Sequence, residues 1–264
     1  MPLRANFQFS QSSLHDYQEC PRRFDLRYMQ RLAWPGVEVE PIMDKEQFMR
    51  QGAAFHRLMH QYHLGVPIAP LLNTENLKLW WANFEQHPPQ VPAKPYPEIP
   101  LSIRLGDHGL LAKFDLLAIE PGQRAVIVDW KTSPKRPRRQ WLENHIQTRV
   151  YRYLLVKAGT LFNGGTPIDP AQVEMIYWFA NFPDQMECLP YSAAQFEADE
   201  IFLTRLLHEI ATRSEFPLTE DTKRCRFCVY RSLCERGFAI GRFDELEDAA
   251  AEEIVITAIS EMEF

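Results

Sequence analysis

The run Ala125-Val126-Ile127-Val128-Asp129-Trp130-Lys131 is apolar for four residues and then ends on an acid and a base two positions apart. Residues two apart on a strand point to one face, so Asp129 and Lys131 project together while Trp130 faces away. A second apolar run, Leu110 to Ile119, carries Asp115. Between the two lies Glu120-Pro121-Gly122-Gln123, whose Pro-Gly pair signals a turn. The expected unit is an antiparallel hairpin with one acid on each strand.

Two carboxylates beside an ammonium at a strand end form a set able to hold a divalent cation and orient water toward a phosphate. An isolated Asp-x-Lys is common on solvated strand ends, so its surroundings decide the matter. A helix expected over 142–158 and stopped at Gly159 places Gln147 and Tyr151 four apart, on one face. A further helix, 44–64, closes at Gly65 and carries Gly52 and His56.

In chain order, Gly52-x3-His56, Asp115, Asp129-x-Lys131 and Gln147-x3-Tyr151 resemble the PD-(D/E)xK nuclease superfamily, above all its RecB-like branch. That branch comprises helicase-nuclease C-terminal domains and the nuclease of CRISPR adaptation. The resemblance implies an α/β fold, a restriction-endonuclease-like mixed sheet flanked by helices. It implies a Mg²⁺- or Mn²⁺-dependent deoxyribonuclease, acting as an exonuclease on single-stranded DNA or DNA ends in repair, recombination or foreign-DNA processing. A helicase or repair-complex partner is expected on the same basis. The competing reading is a non-cleaving DNA-binding scaffold.

The expected catalytic residues are His56, Asp115, Asp129, Lys131, Gln147 and Tyr151. Asp115 and Asp129 offer the hard oxygens that Mg²⁺ prefers, His56 suits Mn²⁺, and the Trp130 carbonyl is expected to complete the ion's ligands. Lys131 is expected to orient the attacking water, or to take its proton once burial and a bound cation lower its proton affinity. Gln147 and Tyr151 are expected to support the site and contact the cleaved strand. Glu98, at the start of the first expected strand, is left outside the ligand set. His60 and His63 share a helix with His56, which leaves a local zinc site as an alternative, although both are expected to face solvent.

Five cysteines are present, and three form Cys225-x2-Cys228-x5-Cys234. Met1 to Phe9 lacks the apolar core of a signal peptide, so a cytoplasmic location and a metal site are expected rather than disulfides. Zinc and an iron–sulfur cluster both suit cysteine ligands. The resemblance selects the cluster: Cys20, followed by Pro21, looks like the N-terminal ligand of the branch's iron–sulfur members. It assigns Cys20, Cys225, Cys228 and Cys234 to a [4Fe–4S] cluster joining the two ends of the fold. Cys188 falls outside the pattern and is expected to be an ordinary buried thiol.

The interleaving of these motifs argues for one domain over 1–238. It comprises an N-terminal helical part (1–87), a proline-rich connector (88–100), a catalytic core (101–213) and a Cys-rich closure (214–238). Residues 239–264 form an acidic tail. No apolar run is long enough to span a bilayer, and no Gly-x4-Gly-Lys-Ser/Thr loop marks an NTPase motor. The net charge of −6 is by itself ill suited to DNA. Eight acids and no Lys or Arg lie in 244–264, however, which leaves 27 acidic against 29 basic residues in the body. Lys131 to Arg152 holds seven basic residues and one acid, Glu143. The run Lys135-Arg136-Pro137-Arg138-Arg139 is therefore the expected DNA-backbone contact, and the tail a candidate competitor for it. Helices are also expected over 10–31, 73–86 and 192–213, the last burying Phe196, Ile201, Leu206 and Ile210. Strands are expected at 99–105, 110–119, 125–131, 173–180 and 186–189.

Overall fold

Consecutive apolar residues in the central strands give this chain a sheet with two oily faces, and helices cover both. The computed structural model describes residues 3, 4, 6–32 and 40–238, with only the backbone described over 40–48. The acidic tail and its proposed competition with DNA lie outside the described residues. Among the described residues, six strands form one mixed sheet: β1 (Gln8–Ser10), β2 (Pro95–Leu105), β3 (His108–Glu120), β4 (Arg124–Lys131), β5 (Val173–Phe179) and β6 (Glu187–Pro190). The order is β1-β3-β4-β5-β6, with β2 on the other edge of β3. Pairs β1–β3 and β4–β5 are parallel and the rest antiparallel.

On one face, Val126, Val128, Trp130, Ile176 and Trp178 pack against α3 (Glu40–His63) and α4 (Glu75–Gln86) through Phe55, Leu58, Trp80 and Phe84. On the other, Ile127, Met175, Tyr177 and Phe179 meet α1 (Gln11–Glu19), α6 (Ile146–Ala158) and α7 (Ala193–Thr212). Burying a side chain such as Leu or Phe stabilises by about 1.5–3 kcal/mol, so these two layers hold the sheet between them.

The helix expected over 10–31 is broken. Ser10 caps α1 in a reciprocal pair with Ser13, and Cys20 is extended (φ −162°, ψ 110°). Pro21, which lacks an N–H, then starts α2 (Pro21–Phe24), and a wider turn follows at Asp25–Met29. A second break falls at His145, also extended, between α5 (Arg139–Asn144) and α6. The proline-rich connector is shorter than expected, because Pro95, Pro97 and Pro100 lie within β2. As an edge strand it tolerates residues with no N–H to donate. On α7, Leu206 and Ile210 are buried, but Phe196 is only partly so and Ile201 is 71% exposed. Cys188 is likewise exposed, since it sits on the outer face of edge strand β6.

One irregularity positions the site. Leu110, Ala112 and Phe114 face the α6 layer, and so do Leu117 and Ile119, so the alternation of β3 slips at Asp115–Leu116. The β2–β3 ladder keeps its register on both sides but skips one pair, Glu98 and Asp115. Glu98 has φ +56°, uncommon for a residue with a Cβ. The opposite edge of β3 pairs with β1 at Gly109–Leu111 and with β4 from Leu116 onward. The sheet therefore forks beside Asp115.

Candidate active site

At the fork, groups from both layers converge. From α3, His56 Nδ1 lies 3.2 Å from Asp115 Oδ1, and the backbone N–H of Trp130 donates to Asp115 Oδ2 at 2.9 Å. Glu98 comes from the facing position on β2. One ligand atom each from His56, Glu98 and Asp115 lies within 4.8 Å of the others, a spacing one cation can bridge. Lys113 Nζ meanwhile holds Glu98 at 2.5 Å.

On the α6 side, Asp129, Lys131 and Gln147 close a triangle. Lys131 Nζ is 2.5 Å from Asp129 Oδ2 and donates to Gln147 Oε1 at 3.1 Å. Gln147 Nε2 donates to Asp129 Oδ1 at 2.7 Å. The i, i+4 spacing on α6 brings Tyr151 beneath β3, where its hydroxyl donates to the Lys113 carbonyl at 2.9 Å. Asp129, Lys131 and Gln147 are buried, whereas the Asp115 and Glu98 carboxylates keep 14% and 12% of their side-chain surface exposed. Solvent therefore reaches the fork.

The two acids titrate differently. Burial pushes Asp129 up to about 6, helped by the charge of Asp115 and opposed by Lys131. Burial also acts to raise Asp115, but His56, the Trp130 amide and Lys131 together hold it below its ordinary value.

The sequence motifs thus meet as two adjoining groups. His56 and Asp115 join Glu98, while Asp129 is held by Lys131 and Gln147. Glu98 is the residue that sequence reasoning left out. The available signal was an acid in strand register with Asp115, visible only once β2 and β3 are aligned. His63 also departs from expectation: its ring stacks on Trp130 (6.1 Å, 14°) instead of facing solvent, and burial pushes it down to about 4. Replacing Glu98 by Gln should weaken Mn²⁺ binding about tenfold in calorimetric titration, the scale expected for losing one charged partner. An unchanged affinity would remove Glu98 from the ion's surroundings.

A second cluster lies where the chain's two described ends meet. Cys20, Cys225, Cys228 and Cys234 line one cavity together with Arg23, Arg224, Arg231 and Arg236. None of the four forms a disulfide. Arg224 pairs with Glu19, Tyr230 donates to the Leu32 carbonyl at 3.0 Å, and the Arg22 amide donates to the Pro217 carbonyl at 3.1 Å. Burial raises the Cys228 and Cys234 thiols, against which Arg23 and Arg22 respectively act.

With this geometry in view, comparison with known proteins is informative. The family model of the PD-(D/E)XK nuclease superfamily matches residues 8–106 and 90–235. The chain belongs to this superfamily. Both the forked hairpin and the four cysteines of the cavity fall within the matched residues, and PD-(D/E)XK nucleases use divalent metals. Among solved structures, SSO0001 is 14% identical, with 88% of each chain covered and a TM-score of 0.44. A candidate exonuclease from Eubacterium rectale is 10% identical over 82% of this chain and 86% of its own, with a TM-score of 0.47. No curated protein matches the chain. Among the described residues, no helix is long and apolar enough to cross a membrane.

Proposed function

We propose that this PD-(D/E)XK protein is a Mg²⁺- or Mn²⁺-dependent deoxyribonuclease that works as an exonuclease on single-stranded DNA or DNA ends. The observation that carries the reading is the fork, where His56, Glu98 and Asp115 converge beside the Asp129–Lys131–Gln147 triangle. The donor set fits a hard divalent ion: carboxylate oxygens and one imidazole, all within bridging distance. Asp129 and the Trp130 carbonyl complete the proposed ligands. A bound ion would neutralise phosphate charge and raise the acidity of water.

The chain's own groups do the rest. Gln147 fixes Asp129 and Lys131 in one plane of hydrogen bonds, so the ammonium stays beside the carboxylate with little freedom to lose. Lys131 holds the attacking water through its ammonium, and Tyr151 steadies β3 two residues before Asp115. Asp129 shares Oδ2 with Lys131, so binding an ion there displaces part of that contact.

The basic loop is less free than its composition implies. Arg136 and Arg139 both pair with Glu187, and Arg139 also with Glu143. Arg138, by contrast, is exposed beside them and suited to a DNA phosphate. Exonuclease action and a place in repair, recombination or foreign-DNA processing, with a helicase partner, follow from the RecB-like motif order alone.

We also assign Cys20, Cys225, Cys228 and Cys234 to a [4Fe–4S] cluster. Four thiols around one cavity supply the ligand count, and Arg23 beside Cys228 acts toward the anionic thiolate that ligation requires.

Incubating the purified chain with end-labelled single-stranded, duplex and closed circular DNA should give Mn²⁺-dependent cleavage of the linear substrates only. Cutting of the circle would replace exonuclease by endonuclease. DNA binding without cleavage in either metal would establish the scaffold reading.

A further inference from the structure

The β4–β5 ladder ends at the pair Lys131–Phe179, so among the described residues the strand pairing stops at the lysine. A carboxamide holds the chain just beyond it. Asn181 Nδ2 donates to the Thr132 and Ser133 carbonyls, each at 2.9 Å, and the Asn181 oxygen accepts from Trp80 Nε1 at 2.9 Å. Only one orientation of the amide satisfies two acceptors and an indole donor. The adjacent backbone continues the bracket: the Ala180 N–H donates to the Lys131 carbonyl at 2.7 Å, and Asn83 Nδ2 donates to the Ala180 carbonyl at 2.8 Å. Helix α4 thus grips residues 180–181, and these grip residues 131–133.

We propose that Asn181 is a positioning residue for hydrolysis. Its side chain substitutes for the missing ladder and sets where Lys131, and the basic loop after it, meet the substrate. This inference rests on the nuclease reading above. Thr132 and Ser133 are almost fully buried, so water does not readily replace the carboxamide at their carbonyls. Without the carboxamide, the strand end loses two hydrogen bonds immediately after the ammonium, and displacements on the scale of 1 Å at a reacting group cost up to about 100-fold in rate. The His56–Glu98–Asp115 group hangs on α3, β2 and β3, so most of the ion's holders lie outside this bracket.

The test uses the full-length chain, linear DNA and Mn²⁺, with Asp129→Ala as the control for the nuclease reading. Asn181→Ala should lower kcat roughly tenfold or more, leave KM within about twofold, and change calorimetric Mn²⁺ affinity far less than it changes kcat. Asn181→Ser, which keeps one donor, should fall between Ala and the parent; it also serves if Ala fails to fold. Trp80→Phe removes the donor that orients the amide and should lower kcat too, with no further loss when combined with Asn181→Ala. An unchanged kcat in a folded Asn181 variant, a lowered melting temperature alone, or multiplicative losses in the double variant would each overturn the inference. Cleavage retained by Asp129→Ala would instead remove the nuclease reading on which it stands.

Discussion

Replacing Asp129 by Asn should cut DNA cleavage by about 10³-fold or more while raising the melting temperature of the metal-free protein. The loss follows from removing a charged oxygen where transition-state charge must be balanced, an effect commonly of this size. The gain follows from the titration of the buried acid. Its carboxyl, ordinarily at 3.8, is pushed up to about 6 by burial and by Asp115. A group whose folded value is raised contributes stability that is complete below its unfolded value and lost as pH rises through the folded value. The ionised carboxylate therefore strains the metal-free fold above pH 6, and Asn mimics the protonated form. One pKa unit corresponds to about 1.4 kcal/mol, and the ion pair with Lys131 tempers the gain, so an increase of several degrees is expected at pH 8. Near pH 4 the two proteins should melt together. Scanning calorimetry at both values, in chelator, makes the check. Equal melting temperatures at pH 8 would remove the strain, and cleavage by the variant within tenfold of the parent would remove the catalytic role.

The second large effect concerns the Cys-lined cavity. Cys20→Ser should release iron and lower the melting temperature by roughly 10–20 °C, because the closed loop of some two hundred residues is opened. Closing such a loop is worth about 5 kcal/mol on chain-entropy grounds. Anaerobically purified parent protein should be brown and carry about four irons per chain. One zinc and no iron would put a structural zinc site on the same four thiols. A Cys20→Ser protein with full metal content and an unchanged melting temperature would dissolve the link between the ends.

Much of this molecule was legible in its sequence, for reasons visible in particular residues. The period-two pattern of β4 put Asp129 and Lys131 on one face, and the i, i+4 spacing of Gln147 and Tyr151 put both beneath the hairpin. Glu98 was hidden because its importance lies in strand register and in a φ of +56°, neither of which a pattern of apolar residues encodes. The break at Cys20 was foreshadowed by Pro21, which begins a helical turn more easily than it continues one. The DNA-binding promise of Arg136 and Arg139 was overstated, since Glu187, fifty residues away in the chain, meets both. Ile201 fits a helical stripe yet faces outward, because α7 has only one neighbouring layer to bury against.

The cavity shared by Cys20 and Cys234 also sets a timetable. The N-terminal strand β1 finds its partner, β3, only once residue 111 exists, and the last of the four thiols follows more than a hundred residues later. At ordinary translation speeds the first thiol waits roughly 10–40 s for the last. Throughout that interval α1 emerges from the ribosome without its closing segment, with Cys20 open to oxidants and to stray metals. On the proposed assignment of the four thiols, loading of the cavity would follow synthesis of the 225–234 segment.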